Sequence, residues 1–334
     1  MNVVVREIVE DCQLKNLCEI TVRYNEMMRD HTTFKVGGPA DCFVSLRVTG
    51  NSEQGEERFP AFCMDLLNRA KEAGVPVFIL GAGANIVVSD KGIRGIVLDM
   101  NSWADKTVTP LCANENEIVF KSGTKIDEAA NLACAAGLSG LEFLAGMPGT
   151  IGGALWMNAR CYGSEIADVV TNVELIIRNE ELGIRNEEYR LKKIEIKDSM
   201  GFSYKKSPFQ EMDCLILSAG FKLKKGDKEK MLAEMDKYRE DRRKKGHYLF
   251  PCAGSAFKNN RDFGKPTGQI IDELGLKGFQ IGGAQIAPFH GNIIINTANA
   301  SAADIRALVE QVAAKVKTVT GFILEPEILF AGEW

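Results

Sequence analysis

The chain lacks any Cys-x-x-Cys pair, although it holds nine cysteines. Cys12, Cys18, Cys42, Cys63, Cys112, Cys134, Cys161, Cys214 and Cys252 are scattered, and their number is odd. This pattern fits reduced thiols in a cytosolic protein better than a disulfide frame. Histidine is scarce. His31, His247 and His290 stand far apart in sequence, so no metal site is expected. No uninterrupted apolar stretch is long enough to span a bilayer. The N-terminal residues carry Arg6 and Glu7 within a few positions and no apolar core of signal length. The expectation is a cytoplasmic protein without a membrane partner. A charge excess is also missing: 41 Lys and Arg stand against 45 Asp and Glu, a net −4, so nothing overall attracts nucleic acid. There is no Gly-x-x-x-x-Gly-Lys-[Ser/Thr], which speaks against a P-loop kinase, and no Gly-x-Ser-x-Gly hydrolase elbow. Internal repeats and low-complexity tracts are absent as well. What remains is an ordinary globular composition, 45% apolar and 26% charged, in 334 residues. That length suggests two domains or one large one.

Glycine carries the first positive signal. Val77 to Val88 reads as an apolar run, a small-residue loop and a second, β-branched run. The loop Gly81-Ala82-Gly83-Ala84-Asn85 has almost no side chains, so its backbone N–H groups are free to face an anion, usually phosphate. A Rossmann fingerprint requires a third glycine opening a helix. Here Ile86 stands at that position, and Val87 and Val88 favour a strand. The stretch is therefore strand–loop–strand, and an ordinary glycine hairpin fits it equally. A second stretch poor in side chains runs from Gly140 to Ala154. A helix starting near Thr150 would present N–H groups and a favourable dipole to an anion. Two such loops suit an extended ligand with two phosphates and a flat ring, as in a flavin dinucleotide.

The rest of the chain reads coarsely as follows. Residues 1–30 form a helical preface, and 31–40 a strand entering a glycine turn. Asp41–Val48 is a strand, Thr49–Arg58 a surface loop, and Pro60–Ala73 a helix ended by Gly74. Gly95–Met100 and Glu117–Ser122 are strands. Thr124 is placed to cap a helix from Lys125 to Ala136. Val169–Arg178, Glu187–Ile196 and Cys214–Lys224 are strands of an antiparallel sheet. Composition shifts near residue 224, so a domain 1–224, subdivided near 104, and a domain 225–334 are expected. The second holds helices over Asp227–Lys245 and Thr267–Leu274, a strand over Asn292–Asn296, a helix capped by Ser301 and Asp304, and a closing strand Phe322–Phe330.

Three places carry candidate chemistry. Ser255 follows Gly254 on a turn; its hydroxyl can donate a proton or satisfy a backbone group. Glu327 is either an inward strand carboxylate, costly unless paired, or an exposed edge residue. Tyr204-Lys205-Lys206-Ser207 offers a phenol and a cation to a carboxylate or phosphate, or is a polar hairpin tip.

Taken together, the chain resembles the UDP-N-acetylenolpyruvoylglucosamine reductase (MurB) family, flavoenzymes of bacterial peptidoglycan precursor synthesis. The residues that carry the resemblance are Thr33–Ala40, Leu80–Asn85, Gly92–Gly95, Gly140–Phe143, Gly146–Ala154, Ala253–Asn259, Gly278–Gln285 and Leu324–Ile328, in family order. The short C-terminal half resembles the branch without an extra substrate-covering loop. The resemblance implies an α+β protein: a vanillyl-alcohol-oxidase/p-cresol-methylhydroxylase-like FAD-binding fold with a C-terminal α/β substrate domain. It implies non-covalent FAD, NADPH as co-substrate, a UDP-sugar enolpyruvyl ether as substrate, and a monomer. Hydride reaches C3 of the enolpyruvyl group, a serine protonates C2, and an arginine and a glutamate stabilise the enolate-like intermediate.

Carried over residue by residue, Ser255 matches the proton donor, Glu327 the glutamate (in preference to Glu325), and Lys205 the position of the arginine. Gly81, Ala82, Gly83, Ala84, Asn85, Ile86, Gly146, Pro148, Gly149, Thr150, Gly152 and Gly153 match FAD contacts. Tyr204, Lys258, Asn259 and Gln285 match substrate contacts. Two departures stand out. Lys205 replaces an arginine, keeping the charge but losing the planar fork, which implies retained but weaker activity. Arg160 stands where the family usually has glycine and is a candidate to supply a guanidinium from a neighbouring loop. Two other readings are an oxidase of the same fold and a non-catalytic binder of nucleotide sugar. A histidine-tethered flavin, common in such oxidases, is disfavoured because no histidine lies beside the glycine loops in sequence.

Overall fold

The computed structural model describes residues 3–16, 19–46, 53–104, 116–178, 188–197 and 200–334. By contacts the chain forms two compact units that interleave in sequence. The first comprises Met1–Tyr24, Asp41–Ala82 and Gly95–Arg239; the second comprises Asn25–Ala40, Gly83–Arg94 and Glu240–Trp334. Most of the helix Lys228–Lys244 thus belongs with the first unit, because its Met231 and Met235 are buried in that unit's core. A division at residue 224 follows chain order, whereas the compact units do not. The residues just after 104 lie outside the described ones.

One sheet orders Ile20–Met27, Pro39–Leu46, Ile93–Asp99 and Val77–Leu80. Its last two strands are parallel, with Val77 opposite Ile96. In the first unit the helices Val3–Asn16 and Glu53–Glu72 contribute Val5, Ile8, Phe59, Phe62 and Leu66 to a core shared with Ile96 and Leu98. A second, fully antiparallel sheet orders Tyr189–Glu195, Val170–Arg178, Cys214–Lys222 and Glu117–Lys121. The helices Ile126–Ala135 and Ile151–Trp156 belong to the core of this second sheet. The second unit packs the helices Thr267–Glu273 and Ala302–Thr320 with the strands Ala284–Ile286 and Ile294–Asn296. There Leu329–Ala331 runs parallel to Ile86–Val88.

Several expectations change. Residues 20–27 are a strand rather than part of a helical preface, in keeping with β-branched Ile20, Thr21 and Val22. Residues 32–38 are irregular, and the strand starts at Pro39. The helix expected from Pro60 begins at Glu53 and holds Pro60 inside it, because Glu53, Gln54, Glu56 and Glu57 are good helix formers; residues 49–52 lie outside the described ones. The helix Ile126–Ala135 has Lys125, not Thr124, at its N-cap. The closing strand shrinks to Leu329–Ala331, since Pro326 has no N–H to give a ladder.

The expected cap of the helix Ala302–Thr320 is present in full. Ser301 Oγ accepts the Asp304 N–H at 3.0 Å, and Asp304 Oδ2 accepts the Ser301 N–H at 3.0 Å and the Gly283 N–H at 3.3 Å. Asp90 takes the next two donors, the N–H groups of Ala302 at 2.9 Å and Ala303 at 3.0 Å. Burial works against the Asp304 charge, but the Ser301 and Gly283 N–H groups and the Ser301 hydroxyl outweigh it and hold the carboxyl below its ordinary value. A depressed carboxyl contributes stability above its unfolded pKa and loses it as pH falls through the folded one. Asp304→Asn is therefore expected to cost about 1 kcal/mol at neutral pH. Thermal unfolding should show the deficit shrinking below about pH 4, where the unfolded chain's carboxyl begins to protonate and the parent's extra stability starts to be lost.

Candidate active site

In the second unit, residues 255–258 run extended between two other segments. Ser255 bridges Ile293, and Phe257 bridges Pro326, both antiparallel. The Ala256 N–H donates to the Asn292 carbonyl at 2.8 Å, and the Ala256 carbonyl accepts the Glu327 N–H at 2.8 Å. The Lys258 N–H donates to the Glu325 carbonyl at 2.9 Å. Ser255 and Glu327, far apart in sequence, thus sit on neighbouring backbones. Asn292, only 3% exposed, fixes this arrangement: its Nδ2 donates to the Phe257 carbonyl at 2.8 Å and its Oδ1 accepts the Phe257 N–H at 3.0 Å. Sequence reasoning missed Asn292; the signal was a polar residue opening the apolar run Ile293-Ile294-Ile295. Asn85, at the end of the first glycine loop, joins the same cluster. Its Nδ2 donates to the Glu327 carbonyl at 3.0 Å, and its carbonyl accepts the Leu329 N–H at 3.0 Å. Glu327 is half-buried and precedes the closing strand instead of lying in it, so the strand-edge alternatives do not apply.

The half-buried Ser255 lines a cavity of about 340 Å³ with Asn259, Gln269, Phe289, His290 and Asn292. Its hydroxyl has no hydrogen-bond partner among the described residues, so the backbone-satisfying alternative for that serine is not what the structure shows. His290 Nδ1 accepts the Asn292 N–H at 3.1 Å, and burial, with Lys245 and Lys277 nearby, pulls the imidazole below its ordinary value. The other candidates are already engaged. Lys258 Nζ pairs with Glu325, and Asn259 Oδ1 accepts the Thr267 N–H at 2.9 Å. Gln285 Nε2 donates to the Gly278 carbonyl at 3.2 Å and to Gln280 Oε1 at 3.1 Å, and Gln285 does not line the Ser255 cavity.

The two glycine stretches differ in what they offer. The N–H groups of Gly81, Ala82, Gly83 and Ala84 donate to no acceptor among the described residues. The Gly81 carbonyl is held by Asn101 Nδ2 at 2.7 Å. The stretch at 146–153 does not present the expected row of free N–H groups. Gly146 N–H donates to Asp127 at 2.6 Å, Ile151 N–H to the Thr124 carbonyl at 2.9 Å, and Gly152 N–H to the Ser122 carbonyl at 2.8 Å. Gly153 N–H turns to Thr150 Oγ1 at 3.4 Å, and the helix that follows has only six residues, too short for much dipole. What this stretch offers is close approach: a Cβ at Gly152 would lie 2.9 Å from Ser122 Cβ, and one at Gly81 would lie 2.7 Å from Thr150 Oγ1. The Ser122 hydroxyl is buried without a partner among the described residues. Gly83 is required on two counts, φ of +61° and a Cβ position 2.2 Å from the His31 carbonyl oxygen. Gly83→Ala should displace the loop and lower FAD affinity about tenfold, since the left-handed backbone alone costs an L-residue about 1–2 kcal/mol. Fluorescence titration of apoprotein with FAD measures this.

The Tyr204 segment, also in the first unit, is a tight turn. Ser203 and Lys206 exchange backbone bonds at 3.1 and 3.0 Å, with Lys205 at φ of +58°. The turn is tethered by Ser207 Oγ to the Trp156 carbonyl at 2.8 Å, and by Gln210 Nε2 to the Trp156 carbonyl at 2.8 Å and the Lys205 carbonyl at 3.1 Å. Ser203, Tyr204 and Lys206 are exposed, so the turn is a polar tip held firmly at its base.

An unsatisfied hydroxyl, a row of uncommitted N–H groups and glycines crowded by their neighbours are features that suit a dinucleotide cofactor. The FAD binding domain family model matches residues 63–182, which places this chain among FAD-binding proteins. A second family model, the C-terminal domain of UDP-N-acetylenolpyruvoylglucosamine reductase, matches residues 245–331. A UDP-N-acetylenolpyruvoylglucosamine reductase from Borrelia garinii is 39% identical over 91% of this chain and 91% of its own length. One from Treponema denticola is 36% identical over 95% of each chain. The crystal structure of UDP-N-acetylenolpyruvylglucosamine reductase from Thermus caldophilus is similar with a TM-score of 0.69 and 29% identity, covering 94% of this chain and 99% of that one. The chain belongs to the UDP-N-acetylenolpyruvoylglucosamine reductase family.

Proposed function

We infer that this chain reduces the enolpyruvyl double bond of UDP-N-acetylglucosamine enolpyruvate with NADPH, giving UDP-N-acetylmuramate for peptidoglycan precursor synthesis. The observation that carries the reading is the backbone bond from Glu327 to Ala256 within the family's C-terminal domain, which brings the Glu327 segment onto the backbone next to Ser255. Bound FAD supplies the hydride carrier between NADPH and the substrate. Gly81, Ala82, Gly83, Ala84, Asn85 and Ile86 would hold it through backbone contacts. Gly146, Pro148, Gly149, Thr150, Gly152 and Gly153 would give it close approach, with Ser122 adding a hydroxyl. Residues 1–224 then serve chiefly the cofactor and 225–334 chiefly the substrate.

Reduction at C3 of the enolpyruvyl group pushes negative charge toward C2 and the C1 carboxylate. Fixed charges and donors aimed there lower the barrier. The Ser255 hydroxyl, not spent on any acceptor among the described residues, delivers the proton to C2. Lys205 supplies a point charge for the carboxylate, and Glu327 stabilises the enolate-like intermediate. Tyr204, Lys258, Asn259 and Gln285 orient the nucleotide sugar, the last three through whatever bonding capacity their protein contacts leave. No helix among the described residues is long and apolar enough to cross a membrane. We place the enzyme in the cytoplasm as a monomer. The test is NADPH consumption by FAD-loaded protein with identification of the product by mass. Consumption that depends on the enolpyruvyl ether, with a product heavier by two hydrogens, supports the assignment. NADPH consumption indifferent to that ether would refute it.

A further inference from the structure

We propose that Arg160 is a second cation for the substrate's carboxylate, acting beside Lys205. This rests on the function inferred above and deepens it. The Arg160 guanidinium carbon lies 6.0 Å from the Tyr204 ring centroid, and Lys205 Nζ lies 5.9 Å from the same centroid. Two cations from two different loops therefore converge on one phenol. The ring face attracts each cation, and two cations about one phenol leave a net positive charge there for an anion.

Buried Asn158 holds the two loops in register. It is 0% exposed, and its Nδ2 donates to the Ser203 carbonyl at 2.9 Å, just before Tyr204. Its Oδ1 accepts the Ala167 N–H at 3.3 Å, beyond the hairpin that carries Arg160. Asn158 adopts a φ of +43°, which a short polar side chain tolerates. That hairpin pairs Arg160 with Glu165 and Cys161 with Ser164. The Arg160 hairpin is thus tied through Asn158 to the Tyr204 turn.

The guanidinium is underused within the protein. Among the described residues its ion-pair partner is Glu165, at 3.9 Å, and that carboxylate also caps the short turn Ile166–Asp168. Guanidinium has five N–H donors in a planar fork, and one distant ion pair leaves most of them for a ligand. A carboxylate is the planar partner that such a fork grips in bidentate fashion. Lys205 supplies charge without that geometry. The division of labour follows: Arg160 orients the carboxylate and Lys205 adds charge as the enolate-like intermediate forms.

The test separates the two halves of turnover. Arg160→Ala should bleach with NADPH within twofold of the parent rate. Its return of colour with UDP-N-acetylglucosamine enolpyruvate should be slower by about 10²-fold, the scale for removing one preorganised charge donor. Added guanidine should restore part of that rate, and Arg160→Lys should retain more of it than Arg160→Ala. Lys205→Arg, which returns a planar fork to the site, should raise the Arg160→Ala rate at least tenfold. UDP-N-acetylglucosamine, which has the diphosphate but no enolpyruvyl carboxylate, should bind parent and Arg160→Ala equally. Weaker binding there would put Arg160 on the diphosphate and overturn the proposal. So would Arg160→Ala recovering colour within twofold of the parent, or slowing in both halves alike, which marks a structural role. A parent that bleaches but never recovers with the enolpyruvyl ether would instead overturn the functional reading, and the clamp with it.

Discussion

Ser255→Ala is expected to leave reduction by NADPH intact while lowering turnover of the enolpyruvyl ether by about 10²–10⁴-fold, the range for loss of a positioned general acid. The structure makes this substitution clean. The backbone of Ser255 is held by its bridge to Ile293, which alanine keeps. Its hydroxyl has no partner among the described residues, so no folding bond is cut. The loss should therefore appear in the substrate half of turnover with an unchanged melting temperature. Stopped-flow absorbance of the two halves, beside a thermal melt, measures it. Equal rates for Ser255→Ala and parent would remove Ser255 from the chemistry.

Glu327→Ala should cost about 10²–10³-fold in the same half reaction, as expected for one preorganised group at the developing charge. The two backbone contacts do not depend on the side chain. Glu327 is anchored by its N–H to Ala256 and by its carbonyl from Asn85, and truncation beyond Cβ touches neither. Glu325 is the built-in control. It is exposed and pairs with Lys258, so Glu325→Ala should leave kcat nearly unchanged and act, if at all, on KM. A kcat loss at Glu325 rather than Glu327 would reverse the assignment.

The parts that the sequence made legible share a property: their physical requirement is local. Gly83 must be glycine because of its own backbone angle and the carbonyl against it. The start of the helix Ala302–Thr320 is written in Ser301 and Asp304. The antiparallel sheet around Val170–Arg178 shows in strand composition and spacing. What escaped depends on partners distant in sequence. The N–H groups at Ile151 and Gly152 look free until the carbonyls of Thr124 and Ser122 are brought to them. Asn292 and Asn158 look like ordinary polar residues until each is buried with two backbone bonds across loops. The interleaving of the two units needs 25–40 and 83–94 to pack with residues beyond 240, which no local pattern announces.

The site follows the same rule. The residue types at Ser255, Glu327 and Tyr204-Lys205 were readable from the chain, and each left an alternative open. The backbone ladder joining 255–258 to 325–327, and the anchoring of the Tyr204 turn on Trp156, depend on partners distant in sequence and could not be read from the chain.

The most direct measurement follows the flavin colour of the FAD-loaded protein without oxygen. The protein should be yellow, should bleach with NADPH, and should regain its colour on addition of UDP-N-acetylglucosamine enolpyruvate, with one UDP-N-acetylmuramate formed per flavin. Colour that stays bleached with that substrate, or returns equally with UDP-N-acetylglucosamine, would contradict the account.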